Sequence, residues 1–179
     1  GTFKPVSAST LGEHEMHAEQ ISISPAVLKQ LIAENDSTGE RKVFPVGTTS
    51  MRTIESFYWL GVRLIKKKFD EAHPSVHQWD PYDKDLDIGI SMCESMKALL
   101  DHITKKGSDR LIASTQLIIA PGYRYRSASG LITNFHQPRS TLLLLVSALI
   151  GEDWKKVYAY ALDNDFRFLS YGDSCLLMP

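Results

Sequence analysis

Residues 130–151 constrain the fold of this chain more than any other stretch. They read as a short strand (Leu131 and Ile132), a polar elbow at residues 133–139, and then an apolar run at residues 142–150. A helix that crosses a bilayer needs about 20 apolar residues, so this shorter run predicts a helix in the core of a globular domain. Gly151 is well placed to end that helix.

The elbow carries polar side chains at the mouth of the predicted helix. Asn134, His136, Arg139 and Ser140 lie within seven residues, and Ser140 or Thr141 is suited to cap the helix. Free amides at a helix start favour an anion, and polar groups at a strand end often build a ligand site. The alternative is an ordinary polar strand–helix turn.

A second polar junction follows a predicted strand at residues 42–46. Gly47 is succeeded by the hydroxyls of Thr48, Thr49 and Ser50 and then by Arg52, and helical periodicity runs through residues 53–65. Such a turn presents amides and hydroxyls to a phosphate or carboxylate, so we predict an anion or substrate site. It has neither the lysine of a P-loop nor three dinucleotide-binding glycines. A simple Thr/Ser cap is the alternative.

The third polar stretch is residues 13–19, which hold two histidines and three carboxylates before a predicted strand at residues 20–24. In extended chain His17 and Glu19 share a face, whereas His14 points the other way. The spacing is not the HExxH of zinc proteases, so a proton-transfer or hydroxyl-binding pair of His17 with Glu19 is favoured over a metal site. The alternative is a solvated polar strand.

Residues 123–126 alternate tyrosine with arginine, which in a strand would place both arginines on one face. Such a face suits phosphates or a stacked base, or is simply exposed to water. Further helices are predicted at residues 25–35, 88–106 and 154–163, and further strands at 111–120, 166–168 and 175–178. This order predicts an α/β fold with a layered mixed β-sheet flanked by helices, in one domain over residues 1–179, with residues 69–87 as an irregular excursion.

Composition excludes several classes. The 179 residues carry 20 basic and 21 acidic side chains, so the net charge does not indicate a nucleic-acid partner. Cys93 and Cys175 are far apart and predict free thiols in a reducing, cytoplasmic setting. No membrane segment is visible, so no membrane partner is expected. The chain begins with glycine instead of methionine, and we expect a piece of a longer protein.

Several sequence motifs of the chain resemble those of the S-adenosylmethionine:tRNA ribosyltransferase-isomerase family of queuosine biosynthesis. They are GTTSMRTIES, TNFHQPRSTLLLLVSA and DFRFLSYGDS, together with GTFKPV and HEMHAE. The resemblance is collinear along the whole chain and corresponds to the carboxy-terminal half of a typical member. Two departures are a longer, divergent stretch at about residues 66–110 and Gln137 where a leucine is usual.

The resemblance implies a fragment of a larger two-domain enzyme whose amino-terminal half is missing. It implies transfer of the ribosyl moiety of S-adenosylmethionine to 7-aminomethyl-7-deazaguanine at the wobble position of a tRNA with a GUN anticodon. The product would be epoxyqueuosine, with adenine and methionine released. S-adenosylmethionine is then a substrate, and neither a cofactor nor a metal is expected. We expect the isolated chain to fold but to be inactive.

Site roles follow as hypotheses from this chemistry. The predicted catalytic residues are His17 as base, Glu19 as its orienting carboxylate and His136 as acid or amine partner. Substrate binding is predicted for Thr48, Thr49, Ser50 and Arg52 toward a phosphate or the methionine carboxylate, for Asn134, Ser140 and Thr141 toward the ribose or base, and for Tyr171 and Asp173 in closing the site.

The sequence argues against two other functions. An α/β hydrolase or nucleotide-binding transferase is disfavoured because the chain has no GxSxG elbow and no glycine-rich phosphate loop. A non-catalytic tRNA-binding module would use basic residues of the chain, namely Lys66, Lys67, Lys68, Lys105, Lys106, Arg124, Arg126 and Arg139. The net charge of -1 argues against such a stand-alone binder.

Overall fold

A computed structural model describes residues 15–36, 43–83, 85–86, 89–138 and 140–179. Within these ranges the order of elements is β1 (Glu19–Ile23), α1 (Pro25–Asp36), α2 (Thr48–Ile65), β2 (Ser75–Val76), α3 (Met92–Lys105), β3 (Leu111–Thr115), β4 (Leu131–Asn134), α4 (Thr141–Ile150), α5 (Asp153–Asp163) and β5 (Ser174–Leu177). The predicted mixed α/β class is confirmed. His14 and Arg139 lie outside the described residues.

The strands form two small sheets. In the first, β3 lies between β1, which is antiparallel to it, and β2, which is parallel. In the second, β4 pairs with β5 in antiparallel register, and Val46 joins β4 through a parallel bridge to Ile132. In the described part of the predicted strand at residues 42–46, only this bridge pairs with a neighbouring strand.

Helix α2 is the centre of the core. Phe57, Trp59, Leu60 and Val62 are each at most 1% exposed, and burying such side chains stabilises a fold by roughly 1.5–3 kcal/mol each. Helix α3 packs closely along α2, because Gly61 has no side chain to separate them. None of the helices in the described part of the chain has the length and apolar character needed to cross a bilayer.

Two helix starts differ from the predictions. Helix α2 begins at Thr48, five residues early, because Gly47 turns the chain at φ 85° and its carbonyl accepts a bond from the Met51 amide at 3.1 Å. Helix α3 begins later than predicted, at Met92. There Ser91 caps the helix in a capping box, with its hydroxyl accepting from the Glu94 amide at 3.2 Å.

Three predicted strands are shorter or missing. Residues 123–126 are irregular because the following amides bond to a buried carboxylate instead of a neighbouring strand. Residues 166–168 belong to a turn in which the Asp173 amide donates to the Arg167 carbonyl at 2.8 Å. Strand β3 ends at Thr115, although residues 117–120 beyond it are buried. The predicted excursion at residues 69–87 contains β2 and a 3₁₀ turn at Asp80–Tyr82.

Candidate functional site

The start of α2 lies beside β4 and the elbow that follows it. The Gly47 amide donates to the Ile132 carbonyl at 2.8 Å, and the Ile132 amide donates to the Pro45 carbonyl at 3.0 Å. Residues 45–47 therefore run parallel to β4, and both segments leave the sheet at the same edge. In α/β proteins that edge is where ligands bind.

The first turn of α2 has no side-chain cap. Gly47 occupies the capping position and has no side-chain oxygen, so amides at the start of this 18-residue helix lack a side-chain acceptor there. Thr49 and Ser50 are exposed, whereas Thr48 is only 5% exposed. An uncapped helix start with exposed hydroxyls can accept a small anionic group.

Arg52 connects β1 and the chain beyond β3 to the corner formed by the start of α2 and the elbow after β4. Its Nε donates to the Leu117 carbonyl at 2.9 Å, and its Nη1 donates to Glu19 Oε1 at 2.9 Å. The third nitrogen, Nη2, is buried and has no hydrogen-bond partner among the described residues. Since the Arg52 side chain is 6% exposed and that of Glu19 is 38% exposed, Arg52 fixes a carboxylate that still reaches solvent.

His17 lies two residues before Glu19 and is exposed. In the described part of the chain no hydrogen bond joins His17 to Glu19, whose observed partner is Arg52. The predicted role of His17 with Glu19 in proton transfer therefore stays a prediction.

His136 lies in the elbow after β4 and is buried. Its Nε2 is 2.9 Å from Thr133 Oγ1, and its amide donates to the Tyr158 hydroxyl at 3.0 Å. Burial lowers the pKa of His136 from 6.5 to about 4, so the imidazole is neutral at pH 7. A neutral imidazole suits hydrogen bonding to a hydroxyl or a neutral amine, while the supply of a proton would need another group.

Two further predicted binding residues, Asn134 and Ser140, have structural partners. Asn134 Nδ2 donates to the Gly172 carbonyl at 3.2 Å and to Ser174 Oγ at 3.3 Å, which joins β4 to the turn before β5. Ser140 caps α4 by accepting from an amide of the first turn at 3.2 Å. Thr141 begins α4 and is half-buried.

The turn at residues 167–173 lies against the elbow. The Leu169 amide donates to the Phe135 carbonyl at 2.9 Å, and Asp173 accepts from the Arg167 amide at 2.7 Å and from its Nη2 at 3.0 Å. These bonds lower the pKa of Asp173. Tyr171, at the tip of the turn, is 98% exposed. The turn is therefore placed near His136, while the Tyr171 ring extends into solvent.

The sequence reasoning missed Glu55, one turn after Arg52. This carboxylate is fully buried and accepts from the Tyr123 hydroxyl at 2.7 Å and from the Ser127 amide at 2.8 Å. The amides of Arg126 and Ala128 also donate to it. Burial raises the pKa of Glu55 despite these bonds. In a sequence, such a buried acceptor is indicated by a carboxylate that lies three or four residues from the apolar positions of a helix, and therefore on its apolar face.

The segment that follows α2 contacts the end of α3. The rings of Phe69 and His102 are 5.0 Å apart, and Lys106 pairs with Glu71, which brings the two helix ends into contact. Because an 18-residue helix is about 27 Å long, this contact is at the far end of α2 from Thr48.

Comparison with known proteins gives a consistent result. Residues 1–177 match a family model described as "Queuosine biosynthesis protein". A curated S-adenosylmethionine:tRNA ribosyltransferase-isomerase of Ruegeria pomeroyi is 37% identical over 180 residues, which include the whole of this chain and 38% of that protein. The corresponding protein of Rhizorhabdus wittichii is also 37% identical, with 39% of its length covered.

The fold is similar to that of a solved structure. The crystal structure of an S-adenosylmethionine tRNA ribosyltransferase from Thermotoga maritima matches with a TM-score of 0.54 and 25% identity, over 88% of this chain and 39% of that one. The chain thus spans about two fifths of the length of the relatives it matches.

Proposed function

The chain belongs to the queuosine biosynthesis protein family, and we propose that it supplies part of an S-adenosylmethionine:tRNA ribosyltransferase-isomerase. The reaction would move the ribosyl moiety of S-adenosylmethionine to 7-aminomethyl-7-deazaguanine at the wobble position of a GUN-anticodon tRNA. Epoxyqueuosine would form, with release of adenine and methionine. The reaction would take place in the cytoplasm. It would also require the region of the relatives that this chain does not match.

This chemistry makes three demands on a site. A base must take a proton from the carbon beside the sulfonium, the departing adenine benefits from a proton donor, and the attacking amine must be neutral. A polar corner near a carboxylate and a neutral imidazole suits these demands. Negative charge from Glu19 also favours a sulfonium cation nearby.

One observation carries the proposal. Bonds from Gly47 to Ile132 and from Arg52 to Glu19 bring the three polar stretches of the sequence to the same end of α2. These stretches contain sequence motifs that resemble those of the family. Their convergence supports one shared substrate site in place of three unrelated polar turns.

We assign the roles on this geometry. His17 would act as the base, with Glu19 held by Arg52 to stabilise the cation that forms. His136 would accept a hydrogen bond from a substrate hydroxyl or amine. The start of α2, at Thr49 and Ser50, would bind the methionine carboxylate or a phosphate.

The test measures adenine release in single turnovers. The complete native polypeptide is mixed with S-adenosylmethionine and an anticodon stem-loop that carries 7-aminomethyl-7-deazaguanine. We expect H17A to lower the rate by about 10²-fold or more, as is typical for loss of a proton-transfer group. H136N should also lower the rate, because the substrate hydroxyl or amine loses its imidazole acceptor. H73A is the matched control, because the His73 side chain is 87% exposed and lies outside the corner.

Two results would contradict the proposal. If H17A and H136N both retain near-normal rates, these side chains have no part in the chemistry. If the complete polypeptide binds the stem-loop but releases no adenine, a non-catalytic tRNA-binding module describes it better. In the same assay, we expect the 179-residue chain alone to release no adenine.

A further inference from the structure

A cavity of about 860 Å³ opens between α2, the start of α3 and the second half of α4, with residues 123–126 along one side. Its lining includes Tyr58, Tyr123, Arg124, Tyr125 and Arg126. This volume lies within the range of roughly 300–1,000 Å³ that is typical of ligand sites. The residues assigned above to the corner around Arg52 do not line it.

The lining is positively charged. Arg124 and Arg126 contribute two guanidinium groups, and the described part of the lining contains no Asp or Glu side chain. Arg124 is exposed, and within the described residues its side chain makes no hydrogen bond or ion pair. Arg126 is held over two aromatic rings, 5.9 Å from the Tyr58 centroid and 6.0 Å from that of Trp59.

Hydrogen bonds within the protein hold the cavity wall in place. Glu55 holds the backbone of residues 126–128, as described above. The Tyr125 hydroxyl donates to the Leu145 carbonyl at 2.7 Å, and the Tyr58 hydroxyl donates to the Ile90 carbonyl at 2.7 Å. Groups held in place this way lose little freedom when a ligand binds.

Arg124 also lines a second cavity. This cavity of about 330 Å³ has Tyr82 and Asp83 in its lining and shares Tyr123, Arg124 and Arg126 with the larger one. A ligand that occupied both cavities would therefore contact the Arg124 guanidinium. A polynucleotide has this form, with a base on each unit and a phosphate between units.

We propose that the larger cavity binds an unstacked nucleotide of the RNA substrate, with its base against Tyr125 and its phosphate on Arg124. Arginine planes and tyrosine rings stack on bases, and guanidinium groups pair with phosphate oxygens. The sulfonium of S-adenosylmethionine would instead be repelled by the Arg124 guanidinium. The inference rests on the proposed function for the identity of the RNA, but its readout is binding and does not depend on turnover.

The test uses the complete native polypeptide and a labelled anticodon stem-loop, with Kd measured by fluorescence anisotropy at several salt concentrations. We expect R124A to raise Kd about three- to tenfold and to reduce the slope of log K against log salt by about 0.7–1, which corresponds to one lost phosphate contact. R124K should recover most of the affinity. Y125L should raise Kd with little change in slope, because it removes stacking and leaves the charge.

Lys156 provides the matched control, since it is an exposed cation on α5 that does not line the cavity. K156A should leave Kd and the salt slope unchanged, and thermal melts of all variants should confirm folding. The inference is overturned if R124A binds the stem-loop like the unsubstituted protein, or if the complete polypeptide binds no RNA. It is also overturned if R124A raises only the KM for S-adenosylmethionine, since the cavity would then hold the nucleoside. Failure of adenine release with normal R124-dependent RNA binding would contradict the proposed function alone.

Discussion

Arg52 Nη1 donates to Glu19 Oε1 at 2.9 Å, and this contact joins the first turns of α2 to the beginning of β1. The same guanidinium donates through Nε to the Leu117 carbonyl. One buried side chain thus connects a helix, a strand and the chain that follows β3. Its position decides where the Glu19 carboxylate lies relative to the start of α2.

Substitution of Arg52 should destabilise the fold and displace Glu19. In R52M, the Leu117 carbonyl and the Glu19 carboxylate both lose their donor, and we expect a loss of about 1–3 kcal/mol in the free energy of unfolding. The estimate lies below that for a fully buried pair because Glu19 reaches solvent. Urea unfolding at pH 7 measures it.

A double-mutant cycle separates the ion pair from the rest of the Arg52 contacts. E19Q should cost less than R52M, and the two changes together should cost less than their sum by about 0.5–3 kcal/mol. Additive losses would show that the contact at 2.9 Å contributes little to stability.

Replacement of Glu55 by glutamine should loosen the wall of the large cavity. The glutamine amide nitrogen is a donor, and one of the donors at Tyr123, Arg126, Ser127 or Ala128 would then face it without an acceptor. We expect E55Q to lower the free energy of unfolding by about 1–3 kcal/mol. E152Q is the control, because the Glu152 side chain is 84% exposed. Equal stability of the two variants would contradict the role assigned to Glu55.

Local sequence signals predicted where α1 and α4 begin. Ser140 and Gly151 bound α4 as predicted, and Pro25 begins α1. These signals act within a few residues, so a single sequence contains them. The mixed α/β class followed from the order of such segments.

Contacts between distant residues were beyond the same reasoning. Glu55 binds amides about 70 positions later, and this recruitment turns the alternating Tyr-Arg segment into an irregular wall instead of a strand. The pairing of Arg52 with Glu19 likewise depends on the packing of β1 beside α2. The sequence indicated which residues could bind an anion. It did not indicate which of them already bond to other residues of the folded chain.

Gly61 should not tolerate a side chain. A Cβ at this position would lie 2.2 Å from Ser95 Oγ and 2.3 Å from the Ser95 carbonyl oxygen, and the carbonyl cannot move without shifting α3. The gain in helix propensity, about 1 kcal/mol for Gly to Ala, is smaller than this overlap costs. We therefore expect G61A to lower the free energy of unfolding by about 1–3 kcal/mol net. Adding S95A should recover part of the loss, and a more stable G61A would contradict the close packing.

The titration of His136 should make stability depend on pH. Burial lowers its pKa to about 4 in the folded chain, against 6.5 for an exposed histidine. Between these values the unfolded chain binds a proton that the folded chain does not, so stability falls as pH falls from 6.5 to about 4. Above this window both states are neutral, and the group adds no pH dependence.

The variant H136Q removes this titration and keeps a polar side chain near Thr133. Urea unfolding at pH 7 and pH 4 should show that H136Q loses less stability on acidification than the unsubstituted protein, by about 3 kcal/mol, which is the pKa difference expressed as free energy. H73Q should leave the acid-induced loss unchanged, since the His73 side chain is 87% exposed. An unchanged acid-induced loss in H136Q would mean that His136 titrates near its ordinary pKa, and that it is available as an acid at neutral pH after all.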